Sequence, residues 1–249
     1  MKPPLLELQG VHTHVGAYHL LHGVDLAVPT GQVTMLLGRN GAGKTTTLRT
    51  IMGLWPASRG SVQFDGRPIG GAGEQLATPD IARLGIAYVP ENMGIFSDLT
   101  VRENMLLAAR SARTVDQIDP QRMAGLLSLF PALKKFWLFP AGKLSGGQKQ
   151  MLSVARAMVE PRRLLLIDEP SKGLAPAIVQ NLIAALRELK ALQTTVLLVE
   201  QNLAVARALG DQVAVMDAGR VVHHGEMAEL AEDTDLQQRL LGLSLGAVV

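Results

Sequence analysis

Apolar residues follow two kinds of strand pattern along the chain. Alternating polar and apolar positions at residues 6–9 and 24–28 predict half-buried antiparallel strands. The unbroken apolar run at residues 164–167 and the mostly apolar segments at residues 33–37 and 195–199 predict buried strands, and coverage on both faces is typical of a parallel sheet. Because helical periodicity separates these runs, the pattern predicts an α/β protein.

Turn-forming residues mark further strands. Residues 61–64 end at Asp65-Gly66 and predict a strand and turn, and residues 213–222 predict a hairpin around Asp217–Arg220. The stretch Gly70-Gly71-Ala72-Gly73 is interpreted as a flexible loop, and a dinucleotide-binding interpretation fails because no strand precedes it.

Residues 92–143 show helical periodicity and no strong strand signal. Their apolar residues recur at helical spacing, as in Met105–Ala109 and Met123–Phe130. Five of the nine aromatic residues lie here, namely Phe96, Phe130, Phe136, Trp137 and Phe139. This concentration predicts a small helical subdomain with its own core, inserted between residues 1–91 and 144–249.

Composition narrows the classes of protein. The 249 residues fit one large domain or a core domain with a small subdomain. The absence of cysteine excludes disulfides and thiolate metal sites. A net charge of +2 without a block of basic residues argues against a nucleic-acid binder. Although 47% of the residues are hydrophobic, no uninterrupted apolar run approaches the roughly 20 residues of a spanning helix.

A glycine-rich segment follows Leu37, between a predicted strand and a predicted helix. It fits the pattern G-x-x-x-x-G-K-[ST] and consists of Gly38, Arg39, Asn40, Gly41, Ala42, Gly43, Lys44 and Thr45, with Thr46 behind it. Glycines let successive backbone N–H groups point at one polyphosphate, and the helix start adds further donors. Lys44 supplies a charge for the β- and γ-phosphates, while Thr45 Oγ1 can ligate Mg²⁺. This phosphate loop predicts a nucleotide binder or NTPase.

The apolar run at residues 164–167 ends in two carboxylates, Asp168 and Glu169. A buried parallel strand would bring Asp168 to the carboxyl edge of the sheet, beside the phosphate loop. There Asp168 would hold Mg²⁺, directly or through water. Glu169 would polarise the attacking water as general base, a role that contributes about 10²–10⁴ in rate.

A second glycine-containing segment precedes another predicted helix, which has apolar residues at helical spacing from Met151 to Met158. This serine–glycine segment consists of Ser145, Gly146, Gly147 and Gln148. It forms an anion cradle at a helix start but lacks a lysine. The two cradles predict that each nucleotide is bound between the phosphate loop of one subunit and the serine–glycine segment of another.

These motifs, in this order, resemble the nucleotide-binding subunit of an ABC (ATP-binding cassette) transporter. Four further sequence segments resemble the LivF type, the ATPase of high-affinity branched-chain amino-acid importers. They are Tyr88-Val89-Pro90-Glu91, Lys172-Gly173-Leu174-Ala175-Pro176, Leu198-Val199-Glu200-Gln201-Asn202 and Leu240-Leu241-Gly242. The resemblance covers nearly the whole chain. It implies one ABC ATPase domain over residues 1–249, with a P-loop NTPase core, a mostly parallel sheet, an N-terminal antiparallel β subdomain and an inserted helical subdomain.

The resemblance also assigns roles to positions at which this sequence departs from the family. Glu91 stands where the family commonly has a glutamine, and it keeps an oxygen ligand for Mg²⁺ but loses the amide donor. Gln201 replaces the usual switch histidine and can donate a hydrogen bond to a γ-phosphate without carrying a proton. Val15 occupies the usual place of the aromatic residue that stacks on adenine, so Tyr18 is the candidate for that contact.

The implied ligands are ATP and Mg²⁺, and the implied partners are a second ABC ATPase subunit (the same or different) and two membrane permease subunits. An extracytoplasmic solute-binding protein is an indirect partner, and nucleic acid is not one. The expected location is peripheral, at the cytoplasmic face of the inner or cell membrane. Alternatives are an ATPase of a urea, amide or other amino-acid importer, a soluble cassette ATPase acting on DNA or ribosomes, and a weakly hydrolysing regulatory subunit.

Overall fold

The computed structural model describes residues 3–73, 75–110 and 112–242. The strands are β1 (Leu6–Val15), β2 (Tyr18–Val28), β3 (Val33–Gly38), β4 (Ala57–Phe64), β5 (Arg67–Gly71), β6 (Ile86–Val89), β7 (Leu164–Asp168), β8 (Thr195–Val199), β9 (Gln212–Asp217) and β10 (Arg220–Glu226). The helices are α1 (Lys44–Ile51), α2 (Thr78–Arg83), α3 (Val101–Ala108), α4 (Pro120–Leu129), α5 (Pro131–Lys135), α6 (Gly146–Ala157), α7 (Pro176–Ala191), α8 (Leu203–Leu209), α9 (Met227–Glu232) and α10 (Thr234–Leu241).

The larger sheet has the strand order β10-β9-β3-β8-β7-β6. Its strands run parallel except for β10, which pairs antiparallel with β9. Met35 and Leu37 of β3 pack into one buried cluster with the surrounding helices, whereas Leu36 packs into a second cluster on the opposite face. Burial on both faces explains why these strands are mostly apolar. The mostly parallel sheet is therefore confirmed.

The smaller sheet is antiparallel and has the order β2-β1-β4-β5. Alternate residues such as Leu8 and Val62 are buried and share a cluster with Leu48 and Ile51 of α1. The helix that follows the phosphate loop is thus held between the two sheets. This confirms the expected antiparallel β region.

The region at residues 92–143 is helical, as its periodicity predicts, and contains α3, α4 and α5. The expectation that it has its own core was wrong. Met105, Phe130 and Leu133 belong to the same buried cluster as Ile167 of the parallel sheet. The cause is α6, which contacts α3 and α5 of this region as well as β6 and α7. The domain boundaries at residues 91 and 143 stay a prediction.

The interpretation of Gly70–Gly73 as a loop was wrong for its first two residues, which lie in β5 and pair with β4. A Cβ on Gly71 would lie 2.7 Å from the Gly60 carbonyl oxygen, and one on Gly70 would lie 2.7 Å from Gln75 Oε1. Glycine is needed here for close approach of neighbouring groups, not for flexibility.

Among the residues that the structure describes, no helix is long and apolar enough to cross a bilayer.

Candidate nucleotide-binding and catalytic site

Four loops meet at the carboxyl edge of the parallel sheet. β3 ends at Gly38 and leads into the phosphate loop, and β8 is followed by Glu200 and Gln201. β7 ends at Asp168, and Glu91 follows closely after β6. Because β3, β8, β7 and β6 are consecutive in the sheet, these strand ends bring the predicted site residues to one edge. Open α/β sheets bind ligands at this edge.

The phosphate loop requires glycine at two positions for different contacts. Gly38 has φ +147°, and a Cβ there would lie 2.3 Å from the Met216 carbonyl oxygen. Gly43 has φ +105°, and a Cβ there would lie 3.0 Å from Leu21 Cδ2. Gly43 is also the N-cap of α1, so the unpaired N–H groups of that helix start at Lys44. The loop and helix start together form an anion cradle.

Lys44 is buried at the helix start, with 5% of its surface exposed. Its Nζ donates to the carbonyl oxygens of Gly38 (2.8 Å) and Arg39 (3.0 Å) and lies 3.4 Å from Glu169 Oε1. The ammonium group is thus held at the phosphate loop, beside the predicted catalytic carboxylate.

Asp168 is fully buried and has a hydrogen-bond donor on each carboxylate oxygen. Thr45 Oγ1 donates to Oδ1 at 3.1 Å, and the Tyr88 hydroxyl donates to Oδ2 at 3.2 Å. Burial raises the pKa of Asp168, and the charges of Glu169 and Glu91 act in the same direction. Burial and the Asp168 charge raise the pKa of Tyr88 to about 12. A cation beside Asp168 would therefore favour its ionised form.

The oxygen atoms at this position fit Mg²⁺. Two ligands on neighbouring vertices of a magnesium octahedron lie about 3 Å apart, and Thr45 Oγ1 and Asp168 Oδ1 are 3.1 Å apart. Within the described ranges, no three His, Cys, Asp or Glu side chains converge into a metal site. A magnesium ion here would therefore complete its shell with phosphate and water oxygens.

Glu169 and Gln201 form a pair across the neighbouring strand ends. Gln201 Nε2 donates to Glu169 Oε1 at 2.6 Å and to Asn40 Oδ1 of the phosphate loop at 2.6 Å. Burial opposes ionisation of Glu169, but the Gln201 hydrogen bond and the Lys44 charge outweigh it, so its pKa lies below the ordinary value. Glu169 also has φ +46°, a strained conformation that costs on the order of 1–3 kcal/mol. These contacts orient the carboxylate, and the lowered pKa favours its ionised form.

Glu91 reaches the same site through an ion pair. Its Oε1 accepts from Lys172 Nζ at 2.6 Å, and that ammonium lies 3.4 Å from Glu169 Oε2. A cavity of about 310 Å³ opens between these groups and the phosphate loop, lined by Leu20, Asn40, Gly41, Gly43, Lys44, Thr45, Thr46, Glu91, Glu169 and Lys172.

The serine–glycine segment is not among the residues that line this cavity. Ser145 is the N-cap of α6, and its Oγ accepts from the Gln148 N–H at 3.3 Å while Gln148 Oε1 accepts from the Ser145 N–H at 2.9 Å. Gly147 packs on α7, where a Cβ would lie 2.2 Å from Ile178 Cγ2. Ser145 and Gly146 are exposed, so this cradle faces outward from its own chain.

The class of protein follows from a family comparison. Residues 21–172, more than half of the chain, match the family model described as ABC transporter. The chain belongs to the ABC transporter family. It is an ATP-binding subunit that carries the family's ATPase domain.

Curated relatives of this ABC subunit include transport proteins for branched-chain amino acids. The high-affinity branched-chain amino acid transport ATP-binding protein BraG of Pseudomonas aeruginosa is 39% identical over 96% of this chain and 100% of its own length. The probable branched-chain amino acid transport ATP-binding protein LivF of Archaeoglobus fulgidus is 36% identical over 90% and 93%. The methionine import ATP-binding protein MetN of Rhizobium etli is 34% identical over 96% and 66%. The resemblance to the LivF type is confirmed.

Solved structures confirm the fold class. An ATP-binding subunit of an ABC transporter is 31% identical, with a TM-score of 0.77, and covers 97% of this chain and 96% of its own. A dimeric ATP-binding cassette in a post-hydrolysis state with ADP and Pi has a TM-score of 0.76 at 23% identity, over 89% and 98%.

Tyr18 of this ABC subunit is 76% exposed and pairs across the strands with Val15. The alternation of β1 places Val15 on the same face as Thr13, whose Oγ1 is 3.0 Å from Thr50 Oγ1 of α1. Tyr18 therefore lies on the face of the hairpin that is turned toward α1. Its contact with adenine stays a prediction.

Sequence reasoning missed two side chains of the site. Tyr88 lies on β6, in register with Leu166 of β7, and only the order of strands in the sheet shows that its hydroxyl reaches Asp168. Lys172 lies three residues after Glu169, on the loop that leads to α7. Its two carboxylate partners come from separate loops, so no local pattern marks it.

Proposed function

We propose that this ABC subunit hydrolyses Mg²⁺-bound ATP together with a second ATPase subunit and thereby drives import of branched-chain amino acids. The observation that carries this proposal is that Lys44, Thr45 and Glu169 line one cavity. Asp168 is hydrogen-bonded to Thr45 and Gln201 to Glu169. A cradle for phosphates, an oxygen site for a cation and an ionised base are the parts that ATP hydrolysis needs.

Each residue has a role that follows from its contacts. Lys44 and the N–H groups of the phosphate loop bind the β- and γ-phosphates. Thr45 and Asp168 would hold Mg²⁺, which supplies charge neutralisation for the phosphate oxygens. The Glu169 carboxylate accepts the proton of the attacking water. Gln201 orients that carboxylate and, having no titratable group, takes no part in proton transfer.

A pair of ATPase subunits is supported by the two cradles. The serine–glycine segment offers N–H groups at the start of α6, yet it lies outside the cavity of its own chain. A second subunit facing this one would receive the segment at its nucleotide. A solved cassette of the same fold is dimeric.

Contact with a membrane subunit is supported by a groove of about 340 Å³ beside the loop at residues 90–96. Ser153 Oγ of α6 donates to the Met93 carbonyl oxygen at 2.5 Å, and Arg156 lies over the Phe96 ring at 5.1 Å. Glu91 lines the nucleotide cavity, while Met93 and Gly94 line this groove. The loop therefore offers a short mechanical connection between nucleotide and partner.

The solute is proposed from the relatives, because the printed names of two of them refer to branched-chain amino acids. Two membrane permease subunits and an extracytoplasmic solute-binding protein complete the proposed assembly, which places this chain at the cytoplasmic face of the membrane. Copurification from the native membrane, followed by uptake of labelled leucine, tests the solute. Preference of the assembly for urea or methionine would overturn it.

The function is tested by Glu169→Gln in the assembled complex. We expect hydrolysis to fall by about 10²-fold or more, while binding of ATP persists because Lys44 and the loop are intact. The control is Glu232→Gln, a loss of one carboxylate at an exposed position of α9. An unchanged rate with Glu169→Gln would contradict hydrolysis at this site.

A regulatory nucleotide-binding subunit is the second candidate, and Gln201 in place of a titratable residue favours it. This function predicts that the assembled complex binds ATP at this chain without turning it over. Single-turnover measurement of hydrolysis in the complex separates the two candidates.

A further inference from the structure

Glu200, directly after β8, is a buried acid to which the mechanism above assigns no role. It is 2% exposed. Its Oε1 accepts from the Ser171 N–H at 3.0 Å, and its Oε2 accepts from Ser171 Oγ at 2.8 Å. Oε2 also accepts from the N–H groups of Gln201 (3.2 Å) and Asn202 (3.4 Å). One carboxylate therefore joins two separate loops.

Each of these loops carries one member of the Glu169–Gln201 pair. Ser171 lies two residues after Glu169, and Gln201 directly follows Glu200. The Glu169 N–H donates to the Val199 carbonyl oxygen at 3.0 Å, next to Glu200. The separation between the Glu169 carboxylate and the Gln201 amide, 2.6 Å, thus depends on backbone that the Glu200 carboxylate holds on both sides.

A carboxylate suits this position better than a neutral amide does. Ionised Glu200 offers acceptors on both oxygens and carries no hydrogen, whereas a glutamine would turn an NH₂ group toward one of the donors. Burial raises the pKa of Glu200, although the hydrogen bonds from Ser171 and the backbone oppose that rise. An acid that only filled space would not need donors from two loops.

We propose that Glu200 is a positioning residue for ATP hydrolysis: it fixes the loop after Glu169 to the loop that carries Gln201. This inference rests on the proposed hydrolysis at this chain. Misplacement of a catalytic group by about 1 Å costs up to about 10²-fold in rate. Loss of Glu200 therefore lowers kcat and leaves nucleotide affinity unchanged, because none of its partners belongs to the phosphate loop.

The experiment compares Glu200→Gln with Asp211→Asn in the assembled complex. Asp211 is the control, since its carboxylate also joins separate elements of the fold, accepting from the Val33 N–H of β3 at 2.9 Å and from Lys190 Nζ of α7 at 2.6 Å. It lies before β9 at the opposite edge. The measurements are kcat, the KM for ATP, the Kd for a non-hydrolysable ATP analogue, and Tm.

We expect Glu200→Gln to lower kcat about ten- to a hundredfold with an unchanged Kd, and Asp211→Asn to leave both kcat and Kd unchanged. An unchanged kcat in Glu200→Gln would overturn the proposal, as would equal losses of kcat in both variants. Ser171→Ala, which removes one of the hydrogen bonds, is the milder second variant and should give a smaller loss of kcat.

A double-mutant cycle with Gln201→Ala identifies the route of the effect. If Glu200 acts through the Glu169–Gln201 pair, the two substitutions together cost less than the product of their separate effects. Independent effects would contradict that route. If Glu169→Gln leaves the rate unchanged, the proposed function itself fails; if Glu169→Gln abolishes hydrolysis and Glu200→Gln does not, this inference alone fails.

Discussion

The phosphate loop at residues 38–45 and the serine–glycine segment at residues 145–148 both present backbone N–H groups at the start of a helix, but their surroundings differ. The phosphate loop, which includes Lys44, contacts Asp168, Glu169 and Gln201 of its own chain. In the serine–glycine segment, the capping box pairs the backbone N–H groups of Ser145 and Gln148, and Ser145 and Gly146 are exposed to solvent. The phosphate loop therefore lies among groups that ATP hydrolysis needs, whereas the serine–glycine segment, under the proposed function, contacts a nucleotide held by another subunit.

The largest loss of hydrolysis should come from removing the Lys44 charge from the phosphate loop. Lys44→Ala leaves the phosphate charge and Glu169 without their cation, so we expect hydrolysis to fall by about 10²–10³-fold and ATP affinity by about tenfold or more. Isothermal titration and ATPase rates check this. The control Lys134→Ala removes an exposed lysine of α5 and should change neither, and normal affinity in Lys44→Ala would contradict the assignment.

Ser145→Ala should separate the two cradles. In the isolated chain we expect ATP affinity to stay unchanged, while hydrolysis by the assembled complex falls by about tenfold or more. Thr100→Ala is the matched control, because Thr100 caps α3 with the same kind of capping box. Both variants lose a cap that contributes about 0.5–2 kcal/mol. Weaker ATP binding by the isolated Ser145→Ala chain would show that Ser145 contacts the nucleotide of its own chain, contrary to the proposed function.

The pH dependence of kcat tests whether Gln201 lowers the pKa of Glu169. The Gln201 hydrogen bond helps to hold the pKa of Glu169 below its ordinary value, so the base stays ionised into acidic solution. Gln201→Ala should raise that pKa, and the acidic limb of the kcat profile should move to higher pH. Gln121→Ala, on the exposed side of α4, should leave the limb in place. A limb that does not move in Gln201→Ala would show that Gln201 does not tune Glu169.

The smallest effect concerns the base of the nucleotide. Tyr18→Ala should weaken ATP binding several-fold, because an aromatic contact contributes about 0.5–1.5 kcal/mol. Tyr18→Phe keeps the ring and should bind normally. Equal affinity in all three proteins would exclude Tyr18 from the adenine contact, and the measurement is ATP Kd by fluorescence titration.

Local sequence patterns predicted most of this site because most of its residues lie in short contiguous segments. The phosphate loop, Asp168 and Gln201 each follow a buried strand, and parallel strands end at one edge. The roles of Tyr88, Lys172 and Glu200 were not predictable, since each has a partner that is distant in sequence, namely Asp168, Glu91 and Ser171 respectively. Strand order and register decide those contacts.

The fold was likewise predictable where a helix or strand carries an apolar pattern in its own sequence. α2 has only Ile81 buried, so it gives no apolar periodicity to detect. β5 was missed because Gly70 and Gly71 satisfy a steric need set by Gln75 and Gly60, and this need is absent from the local sequence. The helical region shares its core with the parallel sheet because α6 contacts α3 and α5 as well as β6 and α7.

The position of Ser145 in the ATP-bound assembly decides whether each nucleotide is bound between two subunits. The chain has no cysteine, so a photoreactive group can be attached at Ser145→Cys alone and activated in a complex trapped with ATP by Glu169→Gln. Isotope-labelled chains distinguish two copies if the pair is identical. We predict ATP-dependent crosslinks to the phosphate loop of the neighbouring subunit. Crosslinks to Gly38–Thr45 of the same chain, or none at all, would contradict the account.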